Sequence, residues 1–191
     1  MEIPLACKSC LLFLVLSFFH GCSLSCTPEE MNALLEFRSL LLQNGTLSTA
    51  HVNASRILME NWSSKSPNCC DWDKVTCKHT DAAPLQVISV RFRSIILPTT
   101  NTISSAVLMP LFRLRALTVL NVADNQLEGA IPGEGFLNLT RLVLLDLSMN
   151  RLSGLLPPQL FHMGSLERLF LYSNMLSGSL EVGSSGIGNL T

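Results

Sequence analysis

Leu142-Val143-Leu144-Leu145-Asp146-Leu147-Ser148-Met149-Asn150-Arg151-Leu152-Ser153-Gly154 belongs to a pattern that this chain writes three times. The unit is L-x-x-L-x-x-L-x-(L/V)-x-x-N-x-L-x-G-x-(I/L/V). It runs from Leu114 through Asn125 to Ile131, from Leu139 through Asn150 to Leu156, and, with Met163 in the first position, through Asn174 to Leu180. The asparagines recur about every 24 residues, and a fixed period of that size marks stacked repeat units. Leucine-rich helices would show a 3.6-residue period. The segments Leu117/Leu120/Val122, Leu142/Leu145/Leu147 and Leu166/Leu169/Leu171 end instead in the period-two step of an extended strand.

Such a strand points alternate side chains inward and outward, so each unit has an apolar inside and a surface. Stacking buries leucines that no single unit can bury, and an asparagine where the strand turns can satisfy backbone groups of neighbouring coils. The fold class that follows is an α/β repeat solenoid with a short array. Val87, Val90 and Phe92 fit the strand pattern once more, upstream, with Ile95 in the asparagine position. The extra length before Asn125 predicts a loop around residues 98–105, read as tolerated surface variation.

The first residues read as a targeting segment. Lys8 precedes an apolar run from Leu11 to Phe19, and small residues Gly21, Ser23 and Ser25 follow, so residues 1–25 are expected to be a secretory signal. The run is shorter than the ~20 apolar residues of a spanning helix, and no membrane span is expected elsewhere. Export makes the cysteines after the signal, Cys26, Cys69, Cys70 and Cys77, an even set suited to disulfides. Adjacent cysteines rarely bridge each other, which leaves Cys26–Cys69 with Cys70–Cys77, or the crossed pairing. No second Cys/His pair stands at zinc-ligand spacing, so no metal is expected. Five sequons, at Asn44, Asn53, Asn61, Asn138 and Asn189, fit the same compartment as glycosylation sites. A net charge of −1 gives no electrostatic case for nucleic acid.

Thr27-Pro28-Glu29-Glu30 opens a helix, with Thr27 as N-cap, Pro28 at the first helical position and Glu30 closing a capping box. Met31, Leu34, Leu35, Leu41 and Leu42 recur at helical spacing until Asn44-Gly45, giving the helix one apolar side that suits the exposed end of a solenoid. A weaker helical stretch is expected around residues 52–60. This helix, Trp62 and Cys69-Cys70-Asp71-Trp72-Asp73-Lys74-Val75-Thr76-Cys77 together resemble the N-terminal cap of plant extracellular leucine-rich-repeat proteins. Leu127-Glu128-Gly129-Ala130-Ile131-Pro132 and Leu152-Ser153-Gly154-Leu155-Leu156-Pro157 look like the plant-specific repeat subtype, from which the third copy departs with Glu181 in place of proline.

Within that group the chain resembles receptor-like proteins, through the paired cysteines before Trp72 and the stretch Glu134-Gly135-Phe136-Leu137-Asn138-Leu139. The resemblance implies a leucine-rich-repeat arc with a disulfide-stapled cap, paired Cys26–Cys69 and Cys70–Cys77. It implies residues 26–80 as the cap and 81–191 as repeats: an irregular coil, three regular ones and the start of a fourth. It also implies an extracellular module that recognises a protein or peptide ligand, with a co-receptor as a further partner, in defence or development. Members carry more repeats and a membrane helix, so the expectation is a truncated receptor portion, secreted by itself or at the plasma membrane as part of a full receptor. The alternative is a secreted inhibitor of a cell-wall-degrading enzyme, similar to polygalacturonase-inhibiting proteins. Such an inhibitor should carry cysteines in a C-terminal cap, and no cysteine follows Cys77.

Aligning the strands gives four outward columns: Ser89, Val119, Leu144, Arg168; Arg91, Asn121, Asp146, Phe170; Arg93, Ala123, Ser148, Tyr172; and Ser94, Asp124, Met149, Ser173. Concave solenoid faces commonly bind partners. The candidate binding residues are Arg91, Arg93, Asn121, Asp124, Leu144, Asp146, Met149, Arg168, Phe170 and Tyr172, of which Leu144, Met149, Phe170 and Tyr172 near Arg168 supply the aromatic, methionine and arginine mixture enriched in interface cores. The competing reading is ordinary strand residues packing on lateral neighbours. In this register Ser148→Ala, on the outward face, is expected to cost within about 0.5 kcal/mol. No catalytic residue or cofactor is expected. His51, His79 and His162 lack a nucleophile motif, and the glycine-rich 183–188 stretch lacks the strand–turn–helix context of a nucleotide loop.

Overall fold

The computed structural model describes residues 25–44, 61–63, 66, 68–80, 83–95 and 102–178. Residues 1–24 of the expected signal, the helix expected at 52–60, sequons Asn53 and Asn189, and the 183–188 stretch lie outside them. Helix α1 (Pro28–Asn44) leads into a hairpin of β1 (Val75–Thr80) and β2 (Ala83–Arg91). Seven short strands follow: β3 (Ile103–Ser104), β4 (Val119–Asn121), β5 (Leu127–Gly129), β6 (Leu144–Asp146), β7 (Arg151–Leu155), β8 (Arg168–Phe170) and β9 (Met175–Ser177). They form two sheets, ordered β1-β2-β4-β6-β8 and β3-β5-β7-β9, all parallel except for the antiparallel β1–β2 pair. Each coil therefore contributes one strand to each sheet, the arrangement a repeat solenoid requires.

The leucine pattern explains what lies between the sheets. Val90, Leu120 and Leu145 pair in one register, and they, Leu117, Leu142, Leu147 and Leu152 are all fully buried. In the last described coil, Leu166, Leu169, Leu171 and Leu176 are only partly buried. The third side of the coils is made of 3-10 helices at Ser105–Arg113, Glu134–Asn138 and Pro158–His162, which stack in order. Phe112 and Phe136 meet at 4.8 Å in this stack. A Cβ on Gly135 would lie 1.8 Å from the Phe112 ring, so only glycine admits this approach. The loop expected at 98–105 is regular at its end, where Ile103–Ser104 forms β3 and Ser105 opens a 3-10 helix. There, Ile103 N–H donates to the Gln126 carbonyl at 3.1 Å.

Between the two sheets the chain turns, and the asparagines hold the turns together. Asn150 Nδ2 donates to the carbonyls of Leu147 and Ser148 in its own coil and of Val122 in the coil before, at 3.0–3.1 Å. Its Oδ1 accepts from Asn125 N–H and Leu127 N–H, both at 3.0 Å. Asn174 repeats the bridge, donating to Leu147 and Leu171 carbonyls and accepting from Leu152 N–H. Asn125 donates to Phe92, Val122 and Ala123 carbonyls and accepts from Ile95 N–H at 2.9 Å. The first coil carries isoleucine in the asparagine position, and the Asn125 amide of the next coil still serves its Phe92 carbonyl and Ile95 N–H. The plant-type glycines mark the exit from the second sheet: Gly129 and Gly154 have φ +88° and +81°, values that L side chains rarely adopt.

Two of the expected outward columns need correction. Ala123 and Ser148 are fully buried, while Arg93 and Tyr172 in the same column are exposed. The strands end two residues earlier, at Asn121 and Asp146, and alternation does not continue through a turn. Ser94, Asp124, Met149 and Ser173 are the left-handed residues of those turns, with φ between +54° and +58°, not strand positions. The buried Ser148 is tied to Asp146, whose Oδ1 accepts from Ser148 Oγ at 2.6 Å and from Ser148 N–H at 3.1 Å.

The cap closes the first coil. Thr27 N–H donates to Glu30 Oε2 at 3.0 Å and Glu30 N–H to Thr27 Oγ1 at 3.2 Å, a complete capping box. Glu30 Oε1 also accepts from Val87 N–H of β2, so one buried carboxylate caps the helix and docks it. Phe37, Phe92, Trp62 and Trp72 form a chain of rings with centroids 5.0–5.2 Å apart. Disulfides Cys26–Cys69 and Cys70–Cys77 fasten the segments around it, with Cα separations of 5.8 and 5.5 Å.

Leu145→Ala should lower unfolding free energy by about 2–5 kcal/mol in urea titration, because repeats pack on both sides of it. Asn150→Ala strips partners from five backbone groups and should cost more than about 3 kcal/mol; Asn150→Asp should rescue little, since a carboxylate accepts but does not donate to three carbonyls. Ser148→Ala should cost about 1–3 kcal/mol rather than being neutral, and a neutral result would mean that the Asp146 bond contributes nothing.

Candidate recognition surface

The first sheet presents one face to solvent, and its register fixes which side chains neighbour each other. Ser89, Val119, Leu144 and Arg168 lie abreast in one row, and Arg91, Asn121, Asp146 and Phe170 in the next. Adjacent side chains on one sheet face stand close enough to act as a single surface. At the last coil Arg168 and Tyr172 are exposed and Phe170 half-buried, with Met149 exposed one coil before. At the first coil Arg91 and Arg93 are exposed, and Arg93 Nη2 lies 3.9 Å from Met149 Sδ across the intervening coil.

The middle of the face is already engaged with itself. Asp146 is 7% exposed and its second oxygen, Oδ2, accepts from Asn121 Nδ2 at 2.9 Å, while Asn121 Oδ1 accepts from Ala123 N–H at 3.0 Å. Together with the two bonds from Ser148, this commits both carboxylate oxygens of Asp146. Asp124 Oδ2 accepts from Ser94 Oγ at 2.6 Å across the turns of two coils. Asn121, Asp124 and Asp146 therefore link coils laterally, whereas Arg91, Arg93, Leu144, Met149, Arg168, Phe170 and Tyr172 retain surface for a partner. Ser89, although in an outward row, is buried.

The sheet is one strand wider than the repeats alone imply. Strand β1 pairs with β2, bringing exposed Thr76 beside Ser89 and exposed Lys78 beside Gln86. The alternation Val75-Thr76-Cys77-Lys78 carries this signal, but register shifts within the hairpin break the simple extension of the columns. Elsewhere, the sulfurs of Cys26, Cys69 and Cys70 lie within 4.8 Å of one another, yet each is half of a disulfide and none is a thiolate ligand. Asp71 and Asp73 serve the cap: Asp71 Oδ2 accepts from Asn68 Nδ2, and the Asp73 carbonyl accepts from Trp62 Nε1 at 2.9 Å. No helix of the described residues is long and apolar enough to cross a membrane.

Comparison with known proteins agrees with this architecture. Residues 27–78 match the leucine rich repeat N-terminal domain and residues 115–176 the leucine rich repeat family. Receptor-like protein 46 of Arabidopsis thaliana is 35% identical over 81% of this chain, which spans only 18% of that relative's length. Among solved structures, the Arabidopsis thaliana BIR3–SERK2 complex superposes with a TM-score of 0.52 at 28% identity, covering 73% of this chain and 70% of that one. The ectodomain of the Arabidopsis thaliana receptor kinase GASSHO1/SCHENGEN3, in complex with CASPARIAN STRIP INTEGRITY FACTOR 2, gives a TM-score of 0.56 at 30% identity, covering 75% of this chain and 15% of that one. The disulfide-stapled cap and asparagine-bridged coils place the chain in the leucine-rich-repeat family, among the plant receptor-like proteins to which it is similar.

Proposed function

We propose that this chain is an extracellular recognition module whose concave sheet binds a protein or peptide, with a co-receptor as a further partner. The observation that carries the reading is the cluster of Arg168, Phe170 and Tyr172 with Met149: Arg168 and Phe170 sit in strand register, Met149 N–H donates to the Tyr172 carbonyl at 2.9 Å, and among the described residues Arg168, Phe170 and Tyr172 make no side-chain hydrogen bond. Aromatic, methionine and arginine side chains on a rigid frame are the composition of interface cores. The similar structures, one a complex of two proteins and one a receptor ectodomain with a bound factor, support that use of the fold. The chain is proposed to act outside the cell, secreted or at the plasma membrane surface.

A displayed library of random extended peptides, selected on the immobilised glycosylated protein, tests this reading. Selected peptides should lose about tenfold or more in affinity, or about 1.4 kcal/mol, on Tyr172→Ala or Arg168→Ala. They should be unaffected by Arg141→Ala, an exposed arginine outside the strands. Binders sensitive to Arg141 and indifferent to both concave substitutions would move the site off this face.

A further inference from the structure

Asn138 ends the 3-10 helix Glu134–Asn138 within the sequon Asn138-Leu139-Thr140. It is exposed, and among the described residues its amide has no hydrogen-bond partner. Asn61 differs: its Nδ2 donates to the Asp71 carbonyl at 3.1 Å and its Oδ1 accepts from Asp73 N–H at 3.2 Å, so its amide is part of the cap. Asn138 also stands between residues that line a groove. Leu137, Leu139 and Thr140 with Phe136 form one side of a space of about 370 Å³, and His162, Met163, Gly164 and Ser165 the other.

The groove has the chemistry of a sugar subsite. Leu137 is 56% exposed and offers an apolar wall. Gly164 opens onto free space, since a Cβ there would meet nothing within 4 Å. His162 Nδ1 lies 2.9 Å from the Pro158 carbonyl, which only accepts, so Nδ1 is the donor there and Nε2 is the ring nitrogen left to meet a hydroxyl. The volume falls at the lower end of the ~300–1,000 Å³ of ligand sites.

We propose that Asn138 carries an N-linked glycan whose first N-acetylglucosamine packs into this groove. The bond forms when the Asn138 amide nitrogen displaces the lipid diphosphate from the anomeric carbon of an oligosaccharyl diphospholipid donor, and one amide proton leaves. Leu137 and Met163 meet the apolar face and acetamide methyl, while Thr140 and His162 serve the hydroxyls. The sugar ties two successive coils together on the flank away from the concave sheet. This assignment stands independently of the concave-face reading.

The test uses the whole chain purified from plant-cell culture in three forms: native, trimmed by endoglycosidase to a single N-acetylglucosamine, and fully deglycosylated. Glycopeptide mapping should find Asn138 occupied. Hydrogen exchange across residues 136–140 and 162–165 should be the same in the native and trimmed forms and rise about threefold or more on full removal, with 142–152 unchanged. Asn138→Gln should reproduce the fully deglycosylated pattern, and if it fails to fold the enzymatic series stands alone. An unmodified Asn138, exchange indifferent to full removal, or protection lost on trimming to one sugar would each overturn the proposal.

Discussion

An asparagine side chain buried where each strand turns is the interaction on which this structure depends. A coil that leaves one sheet and enters another within a few residues strands carbonyls and N–H groups in an apolar interior, where each unpaired group costs about 1–3 kcal/mol. The carboxamide has two donors and an acceptor on one short stem, so it can serve both its own turn and the adjacent coil. Asn125, Asn150 and Asn174 do so with nearly superimposable bonding, linking carbonyls three residues upstream to those of the preceding coil. The leucines supply burial, but the asparagines fix how closely the coils stack. That spacing in turn sets the register of the exposed face.

The cap solves the complementary problem at the first coil, whose apolar side would otherwise face water. Glu30 is central because its two oxygens do different things: one satisfies the N-terminus of α1 and the other receives a strand N–H. Helix and hairpin are therefore ordered together. The stacked Trp62 and Trp72 and the rings of Phe92 and Phe37 extend the hydrophobic interior from the coils into the cap.

Much of this was legible in the sequence, for reasons specific to each feature. Leucine spacing and the marker asparagines report directly on a period-two strand followed by a turn, and Val90, Leu120, Leu145 and Leu169 stand abreast as the pattern requires. The capping box is local, and so is readable within four residues. Alternation misled at Ala123 and Ser148, because counting in twos assumes an extended backbone and the chain has already begun to turn there. The second role of Glu30 has no local signature, since its partner lies 57 residues away. The added strand β1 was hidden by its register shifts. Of the candidate contact residues, Asp146 and Asn121 could not be told from free polar groups until their mutual bond was seen.

The left-handed residues at 94, 124, 149 and 173 bear on how such a face can change. Bulky or β-branched side chains are strained in that conformation, so this row is restricted mainly to small, polar or unbranched residues. The row before it turns inward at Ala123 and Ser148. In the central coils, only the two strand rows remain to be written freely, and Asp146 has already spent one of those places on its neighbours. The vocabulary of each coil is thus very small. A surface built this way diversifies by accumulating coils more readily than by rewriting any one of them.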